Sequence, residues 1–333
     1  MRKAMCVGAG LLFAMAGAQA QGTASPCPAG TTVTDPARLT QDACQIGIDV
    51  FQVMAPQLGL ALAGGNATLG QGGTLGGPGH FSLGLRGNVF RGDLPQVQDF
   101  PNPATTGRQQ RTGAQALPSE AQILGLPTAD LALGIFRGVP LGLTNVGGID
   151  LLVSATYVPT IGDAGEEFQV KPDRNLQLGY GVRIGLLQES LIVPGVSFTY
   201  LKRDLPKTTI FGEATDFDIL ITDAQVKTSA YRVVASKSLT VLGLAAGVGQ
   251  DRYDQSAMVQ ATSGVVASAV VPLEQKLTRT NYFLDVSLNL PVIKFIGEVG
   301  RVTGGTVDTY NEFQTGRADK SRTYGSVGIR IGI

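Results

Sequence analysis

The sequence predicts an all-β fold, an antiparallel transmembrane β-barrel of about ten strands (range 10–14) preceded by a short N-terminal helical segment. Three observations carry that expectation. Long segments alternate with period two between apolar residues and small or polar ones. Glycine is abundant, at 45 of 333 residues, while charged residues are only 16%. After the first twenty residues no stretch stays apolar for eighteen positions, so no membrane-spanning helix is expected.

The first element is an export signal, residues 1–20. Arg2 and Lys3 supply a positive start, Val7 to Ala18 is uncharged, and Ala18-Gln19-Ala20 offers the small-x-small cleavage pattern. Export would place Cys27 and Cys44 in an oxidising compartment, where a disulfide is expected. A loop of that size stabilises by roughly 3 kcal/mol in the chain-entropy picture. There is no CxxC pair and only one histidine, His80, so no metal site and no cofactor are assigned. Removing the signal takes the basic count from 26 to 24 against 26 acids, a net charge near −2. That balance disfavours a nucleic-acid partner, which wants a basic stripe.

Residues 21–79 form the N-terminal segment. Ile46 to Ala63 is rich in Ile, Val, Leu and Phe but is interrupted by Asp49, Gln52 and Gln57, and Pro56 is expected to break or kink any helix there. Gly64 and Gly65 would end it, and a glycine-rich connector from Gly70 to Gly79 leads into the first strand. That connector lacks the spacing and the strand-before, helix-after context of a nucleotide-binding loop. Too polar to cross a bilayer and too apolar to float freely, residues 45–63 are read as a partial plug. The inward glycines Gly84, Gly179, Gly181, Gly185, Gly243, Gly247, Gly249, Gly328 and Gly332 would admit its backbone or permit tight barrel curvature, and both readings stay open.

Residues 80–333 form the barrel. In Leu176–Leu186, one face carries Leu176, Leu178, Tyr180, Val182, Ile184 and Leu186, and the other Gln177, Gly179, Gly181, Arg183 and Gly185. Thr278–Leu290, Ile149–Tyr157 and Phe81–Val89 repeat the pattern, with Phe283 the exception. In a soluble sandwich the apolar face would point inwards, whereas in a membrane barrel it meets lipid. Strands of ten residues or more and a glycine-rich polar face favour the barrel over a periplasmic β-sandwich binding module. Strands are placed at 80–91, 131–138, 149–158, 175–188, 191–202, 226–237, 239–250, 277–290, 292–303 and 321–333, so that short turns alternate with long loops. Phe217–Ile221 and Val265–Val271 are read as hairpins within the loops, or as additional crossings if the count is higher.

The last strand ends in Ser326-x-Gly328-x-x-Ile331-x-Ile333, which resembles the assembly signal of bacterial outer-membrane β-barrels, although it lacks their terminal aromatic residue. The resemblance implies an outer-membrane location, with membrane lipid and the barrel-assembly machinery as partners. The overall plan, a helical segment and glycine-rich connector before the barrel, resembles the long-chain fatty-acid transporter group over roughly the first sixty mature residues. Asn102-Pro103-Ala104 echoes a tripeptide of that group but falls in a loop after strand one. This resemblance implies a plugged channel for a small hydrophobic ligand.

The candidate site is the set of inward charges Arg86, Asp150, Arg183, Asp285, Lys294, Glu298 and Arg330. Such charges either pair to stabilise the wall or tune passage of a solute. Asp163, Glu166 and Glu167, and Asp251 with Asp254, are read as solvated loop acids rather than calcium ligands. One histidine and no Ser/His/Asp arrangement leave no catalytic residue to assign and no enzyme to expect. The expected function is a channel or transporter for small or hydrophobic molecules, and the alternative is a non-transporting structural or assembly scaffold. An apolar path from the loops into the lumen would favour the first, a closed lumen the second.

Overall fold

A computed structural model describes residues 35–101, 116–163 and 165–332. The signal peptide, Cys27, the Asn102-Pro103-Ala104 tripeptide and Ile333 lie outside them. One helix precedes ten long strands: α1 (Asp35–Ala63), β1 (Phe81–Pro95), β2 (Ser119–Phe136), β3 (Ile149–Tyr157), β4 (Leu176–Leu187), β5 (Gly195–Asp204), β6 (Asp218–Leu239), β7 (Leu242–Ser263), β8 (Val271–Asn289), β9 (Ile293–Thr303) and β10 (Arg322–Gly332). Each strand pairs antiparallel with its neighbours in sequence, and β1 closes on β10 with Leu85 opposite Ile329. Closure removes the exposed edges that an open sheet would present. Both ends of the ring of strands lie at the end of the short connections, here the turn end; the long connections form the loop end.

Five strands, β1, β2, β6, β7 and β8, are longer than the alternation in the sequence indicated. Within the stretches 203–225 and 251–276, expected as loops, residues 218–225, 251–263 and 271–276 continue β6, β7 and β8, and Phe217–Ile221 forms the expected hairpin with a short strand, Thr208–Glu213, at the start of β6. Val265–Val271 is a tight connection between β7 and β8 with one short pairing, Ser263 opposite Val266. The reason is an inversion along the strands. In the turn-end half of β7, Leu244 and Val248 face outwards; in its loop-end half, Arg252 and Asp254 face outwards while Val259 and Ala261 are fully buried. The strand keeps its period of two, but the apolar parity moves from the outer face to the inner one. A search for one continuous apolar face stops at that crossing.

The turn-end half therefore carries an apolar belt on its outer wall. On β4 it runs from Leu176 to Leu186, and ten steps of about 3.3 Å tilted by about 40° span roughly 25 Å, the height of a membrane barrel's apolar band. Tyr157, Tyr180 and Tyr282 are exposed along the border of this belt towards the loop end, the position of an aromatic girdle.

The helix α1 fills the lumen. Around Gly47 it lies among the apolar inner residues of the loop-end half, against Ile219 and Val259, and from there it descends to mid-barrel. A helix surrounded on all sides should be apolar all round, and Ile46, Ile48, Val53 and Leu60, which point in different directions, are all almost fully buried. It is long and apolar enough over Leu39–Ala63 to cross a membrane, yet it is mostly buried inside the barrel. The helix begins ten residues before the expected plug and runs through Pro56 without ending there. An interior proline costs about 3 kcal/mol in an isolated helix, and here the surrounding wall holds the axis. Gln57 helps: its amide donates to Val53 O at 3.0 Å and to Asp93 O at 2.9 Å, and its Oε1 accepts from Asp93 N at 2.7 Å.

Two glycines on the helix make this fit possible. A Cβ on Gly47 would stand 2.8 Å from both Ile219 and Val259, and one on Gly59 would stand 2.7 Å from the Tyr253 ring. Most of the inward wall glycines serve another purpose. Gly247 accommodates the ring of Phe283, the inward exception on β8, and Gly179 and Gly249 make room for Arg203 and Arg232. Close approach of a helix is thus not what they supply, although Gly185 and Gly328 do admit Thr74 and Leu69 of the connector.

Candidate functional site

The middle of the lumen is a lock built around the end of α1. A helix leaves its last carbonyls without intrahelical partners, and inside a barrel no bulk water can take them. Asn88 on β1 donates to Ala61 O at 3.3 Å and to Gly64 O at 3.1 Å. Arg203 on β5 donates to Leu62 O at 3.0 Å, and Arg232 on β6 to Ala63 O at 2.8 Å. Further down, Arg86 on β1 reaches Asn66 O at 2.7 Å and Arg330 on β10 reaches Leu69 O at 2.5 Å. Four arginines and one amide thus satisfy the C-terminal end of the helix and the connector below it. Cations there also meet the negative end of the helix dipole.

Each of three arginines is held by an aspartate from another strand. Asp130 on β2 bridges Arg86 at 2.9 Å and Arg203 at 2.7 Å, and Asp251 on β7 holds Arg232 at 2.5 Å. Lower in the lumen Asp150 pairs with Arg183 at 2.7 Å and accepts the Leu75 amide of the connector at 3.1 Å. The opposite wall offers acceptors. Asp285 and Glu298 sit opposite each other in register on β8 and β9. Asp285 takes Asn66 Nδ2 at 2.8 Å and Gly70 N at 2.9 Å, while Glu298 takes Asn66 N at 2.7 Å and Ser326 Oγ at 3.0 Å. The residue pair Asp49 and Asn311 does the equivalent near the loop end, where Asp49 accepts the amides of Tyr310 and Asn311 at 3.0 and 2.9 Å.

Six of the seven charges singled out from the sequence, Arg86, Asp150, Arg183, Asp285, Glu298 and Arg330, belong to this lock or to the pairs that support it. Lys294 is half-buried opposite Arg330, nearer the turn end. Four partners were missed. Asp130, Arg203 and Asp251 each lie one residue beyond the strand limits drawn from the sequence, and Asp251, read there as a solvated loop acid, is fully buried. Arg232 lies inside an expected strand, between outward Tyr231 and Val233, so its parity alone marked it as inward. In the terminal motif Ser326 and Gly328 face the lumen and Ile331 the outer wall. Cys44 is buried on α1.

Little space remains beside the plug. The interior cavity lined by Ala67, Ser82, Arg86, Asp130 and Arg330 is about 20 Å³, room for a single water molecule. A wider polar hollow of about 420 Å³, lined by His80, Arg137, Thr144, Gln188 and Glu189, opens at the turn end. Among the described residues there is no group of three metal-ligating side chains.

No family model matches the chain, and no curated protein matches it in sequence. Among solved structures it is similar to the translocator domain of the autotransporter NalP from Neisseria meningitidis, with 9% identity and a TM-score of 0.38 over 76% of this chain and 87% of that one. It is also similar to the toluene transporter TodX of Pseudomonas putida, with 10% identity and a TM-score of 0.34 over 82% of this chain and 95% of that one.

Proposed function

We propose that this chain is an outer-membrane barrel closed by its own N-terminal helix, and that it acts as an anchored scaffold rather than as an open channel. The observation that carries this reading is the lock: helix carbonyls buried mid-lumen and each met by a wall side chain. A lumen meant to conduct at rest would not be filled from its loop end to its middle by a helix fitted against Tyr253 through a glycine, with the connector packed below it. Under this reading the turn end faces the periplasm and the loop end the outside. The loop-end half then stands clear of the membrane as a soluble-type β-structure with α1 in its core, the part offered to a partner. Transport of a small hydrophobic molecule would require α1 to withdraw. Membrane lipid and the barrel-assembly machinery are the expected partners, and pairing of Cys27 with Cys44 belongs to the same picture.

Cell fractionation with a gel-mobility assay tests the membrane part. The mature chain is expected in the outer-membrane fraction and should migrate faster when loaded unheated. Recovery as a soluble periplasmic protein with one mobility would contradict the reading.

A further inference from the structure

The outer wall of β5, β6 and β7 carries a row of polar residues just above the apolar belt. Ser229 on β6 pairs in register with Lys202 on β5 and Arg252 on β7. All three side chains share the outer face, so the two cations flank a hydroxyl across three strands, a span of roughly 10 Å at the usual strand spacing. Two residues nearer the turn end, Tyr200 and Tyr231 are paired in register with ring centroids 5.2 Å apart, and the Arg252 guanidinium lies 5.4 Å from the Tyr231 ring centre. The next row down is apolar, Phe198, Val233 and Val248.

Two residues towards the loop end, Lys227 pairs in register with Asp204 on one side and Asp254 on the other. Asp254 lies beside Lys227, and Asp204 is shared electrostatically between Lys202 and Lys227. Neither Lys202 nor Arg252 has a carboxylate within ion-pair distance among the described residues. The residues beside them in the row, Tyr180 and Thr278, are uncharged. Arg91 on β1 and Arg301 on β9 are also exposed at this border. The sequence of rows from belt to loops is thus apolar, tyrosine-bearing, cationic and then mixed in charge.

We propose that Lys202, Ser229 and Arg252 form a binding site for the phosphate of a phosphorylated membrane lipid in the loop-side leaflet. The proposal rests on the membrane reading above. Lysine and arginine bind phosphate as a point charge and as a planar fork respectively. Ser229 supplies a hydroxyl between them, the tyrosines form the floor where a headgroup meets its tails, and Phe198 and Val233 continue as the wall for the acyl chains. A soluble anion would gain nothing from that apolar strip, which is why the lipid is the occupant assigned.

The chain has no tryptophan, so Val233→Trp places a single reporter directly beneath the site. The protein would be reconstituted in phosphatidylcholine vesicles containing either acyl-brominated phosphatidic acid or acyl-brominated phosphatidylcholine, and quenching of the reporter compared. Phosphatidic acid should be preferred, with a gain of about fivefold for each cation. Lys202→Gln with Arg252→Gln should bring the two lipids to parity. Equal quenching by both lipids in the unaltered site would overturn the proposal while leaving the membrane reading standing. Preference that survives the double substitution would also overturn it, as would its reversal by soluble glycerol 3-phosphate, which would mark a free-anion site. No quenching by either lipid would remove the membrane reading itself, and the site with it.

Discussion

Replacing Arg232 with methionine is expected to destabilise the folded barrel by about 3–5 kcal/mol, the cost of breaking a buried ion pair from one side. Arg232 and Asp251 are both almost fully buried and 2.5 Å apart. The substitution takes from Asp251 its closest cation, leaving the Asn281 amide at 3.2 Å, and leaves the Ala63 carbonyl without its donor. A second change, Asp251→Leu on the Arg232→Met background, removes the stranded charge and should recover a large part of the loss. The exposed pair Lys207 and Asp223, 3.0 Å apart but solvated on both sides, serves as the contrast. Lys207→Met should cost under about 1 kcal/mol. Urea titrations that follow the fast-migrating folded form on unheated gels give the ranking. Equal, small effects for Arg232 and Lys207 would mean that the lock does not hold the plug.

Gly59→Leu is the second large effect, and Gly59→Ala sets two forces against each other. In a helix interior, alanine is favoured over glycine by about 1 kcal/mol. Against that, the new Cβ would stand 2.7 Å from the Tyr253 ring, which is itself buried against the helix. Overpacking in a tight core costs typically about 1–3 kcal/mol. The fit inside the lumen should win, so alanine is expected to destabilise despite its propensity and leucine more so, to the point of displacing α1. Protease sensitivity of the helix in the folded barrel reports this directly. Stabilisation by alanine would show that the lumen around Gly59 is looser than the structure has it.

Much of the architecture was legible because lipid-facing strands obey one rule over many residues. Leu176–Leu186 and Ile149–Tyr157 were placed to within a residue or two for that reason. The loop-end halves of β6, β7 and β8 were not, because their apolar parity reverses where the helix replaces lipid as the apolar neighbour. The same misplacement hid Asp130, Arg203 and Asp251, each one residue outside an expected strand. The helix was visible as a plug but not in its full length. Its first turns read as polar chain, and Pro56 reads as a break when the wall around it is unknown. That the wall glycines serve arginines and Phe283 more than the helix could not be read from one strand alone, since the partner residue lies across the register.

Planar-bilayer recording tests the central claim most directly, with the mature chain compared against a variant lacking residues 35–63. The full chain is expected to insert without steady conductance, and the variant, once its fast-migrating folded form has been verified, to open persistent ion-conducting steps. Steady conductance from the full chain, equal to that of the variant, would contradict a barrel closed by its own helix.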